Sequence, residues 1–173
     1  TYHGPGQLVG YPILNLAERG RDVHSYLRRL EGILIETLTT FGLGASRWIG
    51  RTGVWVGGRK IASIGIHVSR WVTRHGFALN VDMKLAPFEL IVPCGIKGAR
   101  ATSIAEELSR PVAVEEVIPV LVQRFEAGLG VELLPTSLDV IVGAIGLAHQ
   151  SVYPTYPPLE AHRPLLFTAS SRS

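Results

Sequence analysis

This sequence predicts an α+β domain in which a mixed, mostly antiparallel sheet packs with helices. Three observations lead there. A stretch from Asp22 to Phe41 repeats apolar residues every three or four positions, β-branched runs separated by glycines fill Gly53 to Val92, and a second helical stripe follows Pro111.

In the first stretch Val23, Tyr26, Leu27, Leu30, Ile33, Leu34, Leu38 and Phe41 form one apolar face, so a helix with one buried side is expected. Gly42 and Gly44 stop it, with Phe41 and Leu43 placed to pack over its end. Strands are expected at Val54 to Val56, Lys60 to Val68, Phe77 to Val81 and Phe88 to Val92. The connections Gly57-Gly58 and Arg74-His75-Gly76 are short enough for antiparallel neighbours. Ser103 and Glu106 stand three apart, as a capping box requires, and open a short helix to about Leu108. Val114, Val117, Ile118, Leu121 and Phe125 stripe the next helix, with Gly128 and Gly130 as its end. From about Pro135 the periodicity fails among Pro154, Pro157, Pro158 and Pro164. The expected organisation is therefore one domain over residues 1–134 and a Pro-rich, partly disordered appendage over 135–173.

Composition narrows the function classes. With 46% hydrophobic and 18% charged residues in 173, the chain is globular rather than disordered. Cys94 is the only cysteine, which rules out an intramolecular disulfide and suits a reducing compartment, so a cytoplasmic location is expected. The apolar run Val140 to Ala148 is far short of the roughly 20 residues that span a bilayer, so no membrane role is expected. A net charge of +3 without Lys/Arg blocks argues against nucleic acid and mildly favours acidic partners. Thr1 opens the sequence directly into a turn-rich run, and the start reads as a truncation.

Two residues stand out chemically. Cys94, in Val92-Pro93-Cys94-Gly95-Ile96, should emerge at a strand end, because the residue before Pro is extended and Gly permits a sharp turn. A nucleophile fits that place, and so does a buried structural thiol. Lys60 shares a strand face with Ala62, Ile64, Ile66 and Val68. An amine on an apolar face either loses proton affinity, as a general base near neutrality needs, or snorkels from the strand edge to water. His3, His67 and His75 fall at no metal-ligand spacing, so no metal is expected. His3-Gly4-Pro5-Gly6-Gln7 offers either backbone N–H groups to a substrate carbonyl or an ordinary Gly/Pro turn. No complete nucleotide-binding fingerprint is present.

Four segments occur together in one order: Thr1-Tyr2-His3-Gly4-Pro5-Gly6-Gln7, Gly58-Arg59-Lys60-Ile61-Ala62-Ser63-Ile64-Gly65, His75-Gly76-Phe77-Ala78-Leu79-Asn80 and Pro93-Cys94-Gly95-Ile96. In this the chain closely resembles the lipoate-protein octanoyltransferase family, from Thr1 to about Leu134. The resemblance implies the biotin/lipoate protein ligase fold. It further implies transfer of an octanoyl group from octanoyl-acyl carrier protein, through a thioester, to a lysine of a lipoyl domain in 2-oxoacid dehydrogenases or the glycine cleavage H protein. Cys94 matches the family's nucleophile and Lys60 its acid/base partner; His3, Gly4, Gly65, His75 and Asn80 match positions around the acyl pocket. Ala62 and Ile64 would border the octanoyl chain. Thioester exchange followed by amide formation calls for no ATP, and no cofactor is expected. The family pattern also carries an Arg-Gly-Gly run just upstream of Thr1, so an N-terminally truncated catalytic domain is expected. Two alternatives stand beside this reading: an ATP-dependent lipoate or biotin ligase on the same fold, which would leave Cys94 without a role, and a non-catalytic module that holds a lipoyl or carrier domain.

Overall fold

Helix α1, Val23–Thr40, follows directly from its apolar stripe: Tyr26, Leu30, Ile33, Leu34 and Leu38 are all buried. Each fully buried leucine contributes roughly 1.5–3 kcal/mol. Asp22 caps the N-terminus, its carboxylate accepting the Ser25 N–H at 3.0 Å and the Ser25 hydroxyl at 2.6 Å. These bonds favour the ionised form and hold the Asp22 carboxyl below its ordinary value. At the other end the Gly42 N–H donates to the Thr39 carbonyl at 2.9 Å and the Leu43 N–H to Leu38 at 3.1 Å. That is a Schellman closure, and the Leu43 side chain is buried.

The computed structural model describes residues 2–90, 100–144 and 165–171. Its contacts fall into two compact units, residues 1–128 and 129–173. In the first unit, β1 (Gln7–Gly10), β2 (Ala45–Trp48), β3 (Arg51–Val56), β4 (Arg59–Ser69) and β5 (Val72–Asn80) form a sheet of order β1-β5-β4-β3-β2. Every pairing is antiparallel, as short connections dictate. Among the described residues the parallel element is a single bridge between Lys60 and Ala101. Helix α1 packs on β2, β3 and β4.

Three sequence expectations require correction here. The turn assigned to Arg74-His75-Gly76 lies inside β5, whose register with β4 runs unbroken from Ser69↔Val72 to Ala62↔Leu79. The reversal is made instead by Arg70 and Trp71, both at positive φ (51° and 66°), which matches the right-handed twist of the flanking strands without the usual Asn-Gly signal. Gly57-Gly58 does make the β3–β4 turn. The described part of the expected strand Phe88 to Val92 lies instead in a 3-10 turn, Ala86–Leu90; Val92 falls outside the described residues. Strands β1 and β2 were not foreseen, being four residues each with little β-branched content.

Helix α2, Ile104–Leu108, starts where Ser103 accepts the Glu106 N–H at 3.2 Å. Helix α3, Val114–Leu129, buries Val117, Leu121 and Phe125, and the Phe125 ring stacks on Phe77 of β5 with centroids 5.7 Å apart. Gly128 does not end α3. A Cβ there would sit 2.6 Å from Cγ1 of Ile33, so this glycine lets α3 approach α1, and the helix runs on through Leu129 to Gly130 at φ +66°. In the second unit β6 (Val131–Thr136) pairs antiparallel with β7 (Leu166–Ser171), and α4 spans Leu138–Ala144. The loss of pattern expected from Pro135 thus conceals regular structure, since a six-residue ladder needs only local alternation.

Candidate active site

Lys60 stands second in β4 and is 4% exposed, on the buried side that the period-two rule assigned it. Its backbone is gripped by the segment from Arg100 to Thr102. The Lys60 N–H donates to the Arg100 carbonyl at 2.8 Å, and the Thr102 N–H donates to the Lys60 carbonyl at 3.0 Å. Its side chain lies against β3, where the register slips between Val54 and Trp55. Gly53, at φ +119°, precedes that slip, and a Cβ there would stand 2.5 Å from the Ala62 carbonyl oxygen and 2.7 Å from Cε of Lys60. Only glycine leaves room for the lysine stem. The Lys60 Nζ then reaches 5.4 Å from the centre of the Trp55 ring.

Gly53 is anchored from behind. Glu31 of α1 is completely buried and accepts the Gly53 N–H at 3.2 Å, while Arg28 (2.7 Å) and Arg47 (3.1 Å) neutralise it. Trp55 meets Trp48 edge to face at 4.9 Å, and the Arg51 guanidinium stacks over Trp48 at 4.3 Å. The buried Trp55 Nε1–H has no hydrogen-bond partner among the described residues.

A second set of residues joins Lys60 through hydrogen bonds whose direction can be deduced. The Thr102 carbonyl can only accept, so the contact of 2.8 Å to Asn80 uses the Asn80 amide N–H. The Asn80 oxygen therefore accepts from Gln7 Nε2 at 2.9 Å, which leaves Gln7 Oε1 to accept from His3 Nδ1 at 2.7 Å. This order places the His3 proton on Nδ1 and, in the neutral ring, leaves Nε2 as an acceptor. Thr102 Oγ1 in turn donates to Glu107 at 2.5 Å, and Arg59 closes the run on Glu107 at 2.9 Å. His3, Asn80 and Lys60 thus belong to one connected framework across β1, β5, β4 and α2. Gln7, Thr102, Trp55 and Gly53 complete it, and none was singled out from sequence; only Gln7 lay inside a recognised segment.

The remaining candidates are placed differently. Gly4 begins the turn in which its carbonyl accepts the Gln7 N–H at 3.2 Å. Ala62 and Ile64 are buried and pair with Leu79 and Phe77. Gly65 faces Gly76 across the ladder, and His75, at φ +61°, sets its ring edge to face with Tyr11 at 6.2 Å. Gly65 and His75 lie five residues from Lys60 and Asn80 on their strands, about 17 Å at 3.4 Å per residue, so the described structure does not gather them at the amine. Cys94 lies outside the described residues, as does Thr1. Among the described residues no cluster of three His, Cys, Asp or Glu could hold a metal ion, and no helix is long and apolar enough to cross a membrane.

Comparison with known proteins places this framework in a family. The chain is 55% identical over 139 residues to an octanoyltransferase of Gloeobacter violaceus, covering 80% of this chain and 62% of that protein. An octanoyltransferase of Geobacter metallireducens is also 55% identical over 125 residues, covering 72% and 59%. The chain thus spans about three fifths of the length of the curated relatives it matches. Among solved structures, the biotin protein ligase of Aquifex aeolicus in complex with biotin and ATP aligns at a TM-score of 0.57 and 21% identity, over 72% of this chain and 50% of that one. A bipartite lipoate protein ligase from Thermoplasma acidophilum aligns at 0.56 and 19% identity, over 74% and 53%. These likenesses establish the α+β architecture inferred from sequence as the lipoate/biotin ligase fold. Residues 1–126 match the lipoyl protein ligase A/B catalytic domain, and it is to that family that the chain belongs.

Proposed function

We propose that this domain transfers an octanoyl group in protein lipoylation, from octanoyl-acyl carrier protein through a Cys94 thioester to a lysine of a lipoyl domain. The observation that carries the reading is a lysine, Lys60, buried at 4% exposure within the Gly58–Gly65 segment, in a chain 55% identical to octanoyltransferases. The catalytic part is taken as residues 1–134, and the setting as cytoplasmic. The lipoyl domains of 2-oxoacid dehydrogenases and of the glycine cleavage H protein are the proposed acceptors.

The chemistry needs a proton acceptor beside a thiol, since a thiol near its ordinary pKa of about 8.5 is mostly protonated at neutral pH. Lys60 Nζ takes the Cys94 proton; the thiolate attacks the donor carbonyl; the carrier thiolate departs and recovers that proton from Lys60. The acceptor lysine then attacks the Cys94 thioester, giving its proton to Lys60; the C–S bond breaks and Lys60 passes that proton to the departing Cys94 sulfur, which restores the thiol and the neutral amine. A thioester is exchanged for a thioester and then for a more stable amide, so no nucleotide is consumed. His3, Gly4, Gly65, His75 and Asn80 are proposed to shape the acyl site, with Ala62 and Ile64 beside the chain. The connected hydrogen bonds of His3 and Asn80 support a preorganised role.

The test is intact-protein mass after mixing with octanoyl-acyl carrier protein without ATP, followed by peptide mapping. The expected result is an octanoyl adduct on Cys94 that a lipoyl domain removes, absent in Cys94→Ala and strongly slowed in Lys60→Ala. Transfer that requires ATP and survives Cys94→Ala would replace this reading with a ligase.

A further inference from the structure

We infer that Gly53 and Trp55 of β3 form a mould for the Lys60 side chain and that Trp55 is a positioning residue whose ring face stabilises the ammonium group Lys60 forms on accepting a proton. The inference rests on the proposed acyl transfer for its catalytic consequence, but its geometry stands independently. Gly53 on one side leaves space for Cε that any side chain would fill, at 2.7 Å from a Cβ. Trp55 on the other presents its ring 5.4 Å from Nζ, within the roughly 6 Å over which an aromatic quadrupole attracts a cation. Trp55 is itself 1% exposed and wedged against Trp48, so its ring has no freedom to turn away. In transfer, the S–H bond of Cys94 breaks and an N–H bond forms on Lys60, giving a thiolate and an ammonium. The ring favours that charged pair over the neutral one.

Other charges surround Gly53, Trp55 and Lys60. Glu31 of α1 accepts the Gly53 amide and is paired with Arg28 and Arg47; Arg51 of β3 stacks on Trp48. Arg59 of β4 pairs with Glu106 and Glu107 of α2, and Arg100 supplies a carbonyl to the Lys60 N–H. Arg51 also lies 6.0 Å from the centre of the Trp55 ring, a contact that replacing Trp55 removes along with the one to Lys60, whereas the ion pairs of Glu31 and Arg59 do not involve Trp55.

The chain contains three lysines, Lys60, Lys84 and Lys97, so ¹³C-lysine labelling gives three titration curves, assigned with Lys60→Arg. In Trp55→Leu the Lys60 midpoint should move to lower pH by roughly 0.4–1.5 units, the worth of one cation–π contact. Trp55→Phe should shift it less in the same direction, and Trp48→Leu, which touches Trp55 but not Lys60, should leave it in place. Thioester formation should slow roughly 3- to 30-fold in Trp55→Leu with KM for the donor unchanged. A purely structural role predicts the opposite sign, because loosened packing admits water and raises an amine's midpoint. An unmoved or raised midpoint in both Trp55 variants overturns the inference. If Trp55→Leu does not fold, Trp55→Phe against wild type decides. If the midpoints move as expected while wild-type protein forms no thioester, the mould stands and acyl transfer is what fails.

Discussion

Asn80 shows how much one side chain can fix. Its amide N–H goes to Thr102 and its oxygen to Gln7, both in a 5% exposed position, so neither half of the amide is interchangeable with a carboxylate. Asn80→Asp removes the donor and sets an anionic oxygen against the Thr102 carbonyl. We expect a loss of about 1–3 kcal/mol in urea unfolding at neutral pH; an unchanged midpoint would show that the bond to Thr102 contributes nothing. Lys60 was legible at this scale because strand alternation alone puts it among Ala62 and Ile64. Its partners were not, because Gly53, Trp55 and Thr102 come from segments five or more residues away on other elements. Glu31 was equally hidden: a carboxylate inside an apolar helical stripe makes sense only once Arg28, Arg47 and the Gly53 amide converge on it.

Among the elements, the two long helices were legible from periodicity, and α1 with its Asp22 start and Leu43 closure was the clearest. Strand ends were harder. Arg70-Trp71 turns the β4–β5 hairpin without glycine, while Gly76, which looked like turn chemistry, serves close approach: a Cβ there would stand 2.2 Å from the Gly10 carbonyl oxygen of β1. Gly128 repeats the lesson in a helix. Glycine normally costs about 1 kcal/mol against alanine there, yet Gly128→Ala should destabilise, because a methyl group meets Ile33 at 2.6 Å and overpacking costs typically 1–3 kcal/mol. Thermal melts of Gly128→Ala, Ile33→Ala and the pair test this. The double variant should lose less than the sum of the singles, and a stabilised Gly128→Ala would mean that α1 and α3 have slack to separate.

At the scale of the whole molecule the net charge of +3 bears on encounter rather than chemistry. If acidic carrier and lipoyl domains are the substrates, raising ionic strength from about 0.05 to 0.5 M should lower kcat/KM severalfold with kcat unchanged, as screening shortens the reach of the field; salt-independent kinetics would assign the charge no part in association. The sequence by itself determined the α+β class, the two main helices, the antiparallel character of the sheet and the apolar strand face on which Lys60 stands, because each follows from local periodicity and short connections; that Lys60 is buried there was decided by the tertiary structure. Tertiary structure alone decided the strand order, the true hairpin turn, the hydrogen-bonded run from His3 to Arg59 and the glycine-and-tryptophan mould around the lysine. Those depend on register between distant segments, and the slip by which Val54 pairs with Ala62 but Trp55 with Lys60, leaving Ile61 of β4 as the extra residue, makes no mark in the order of the residues.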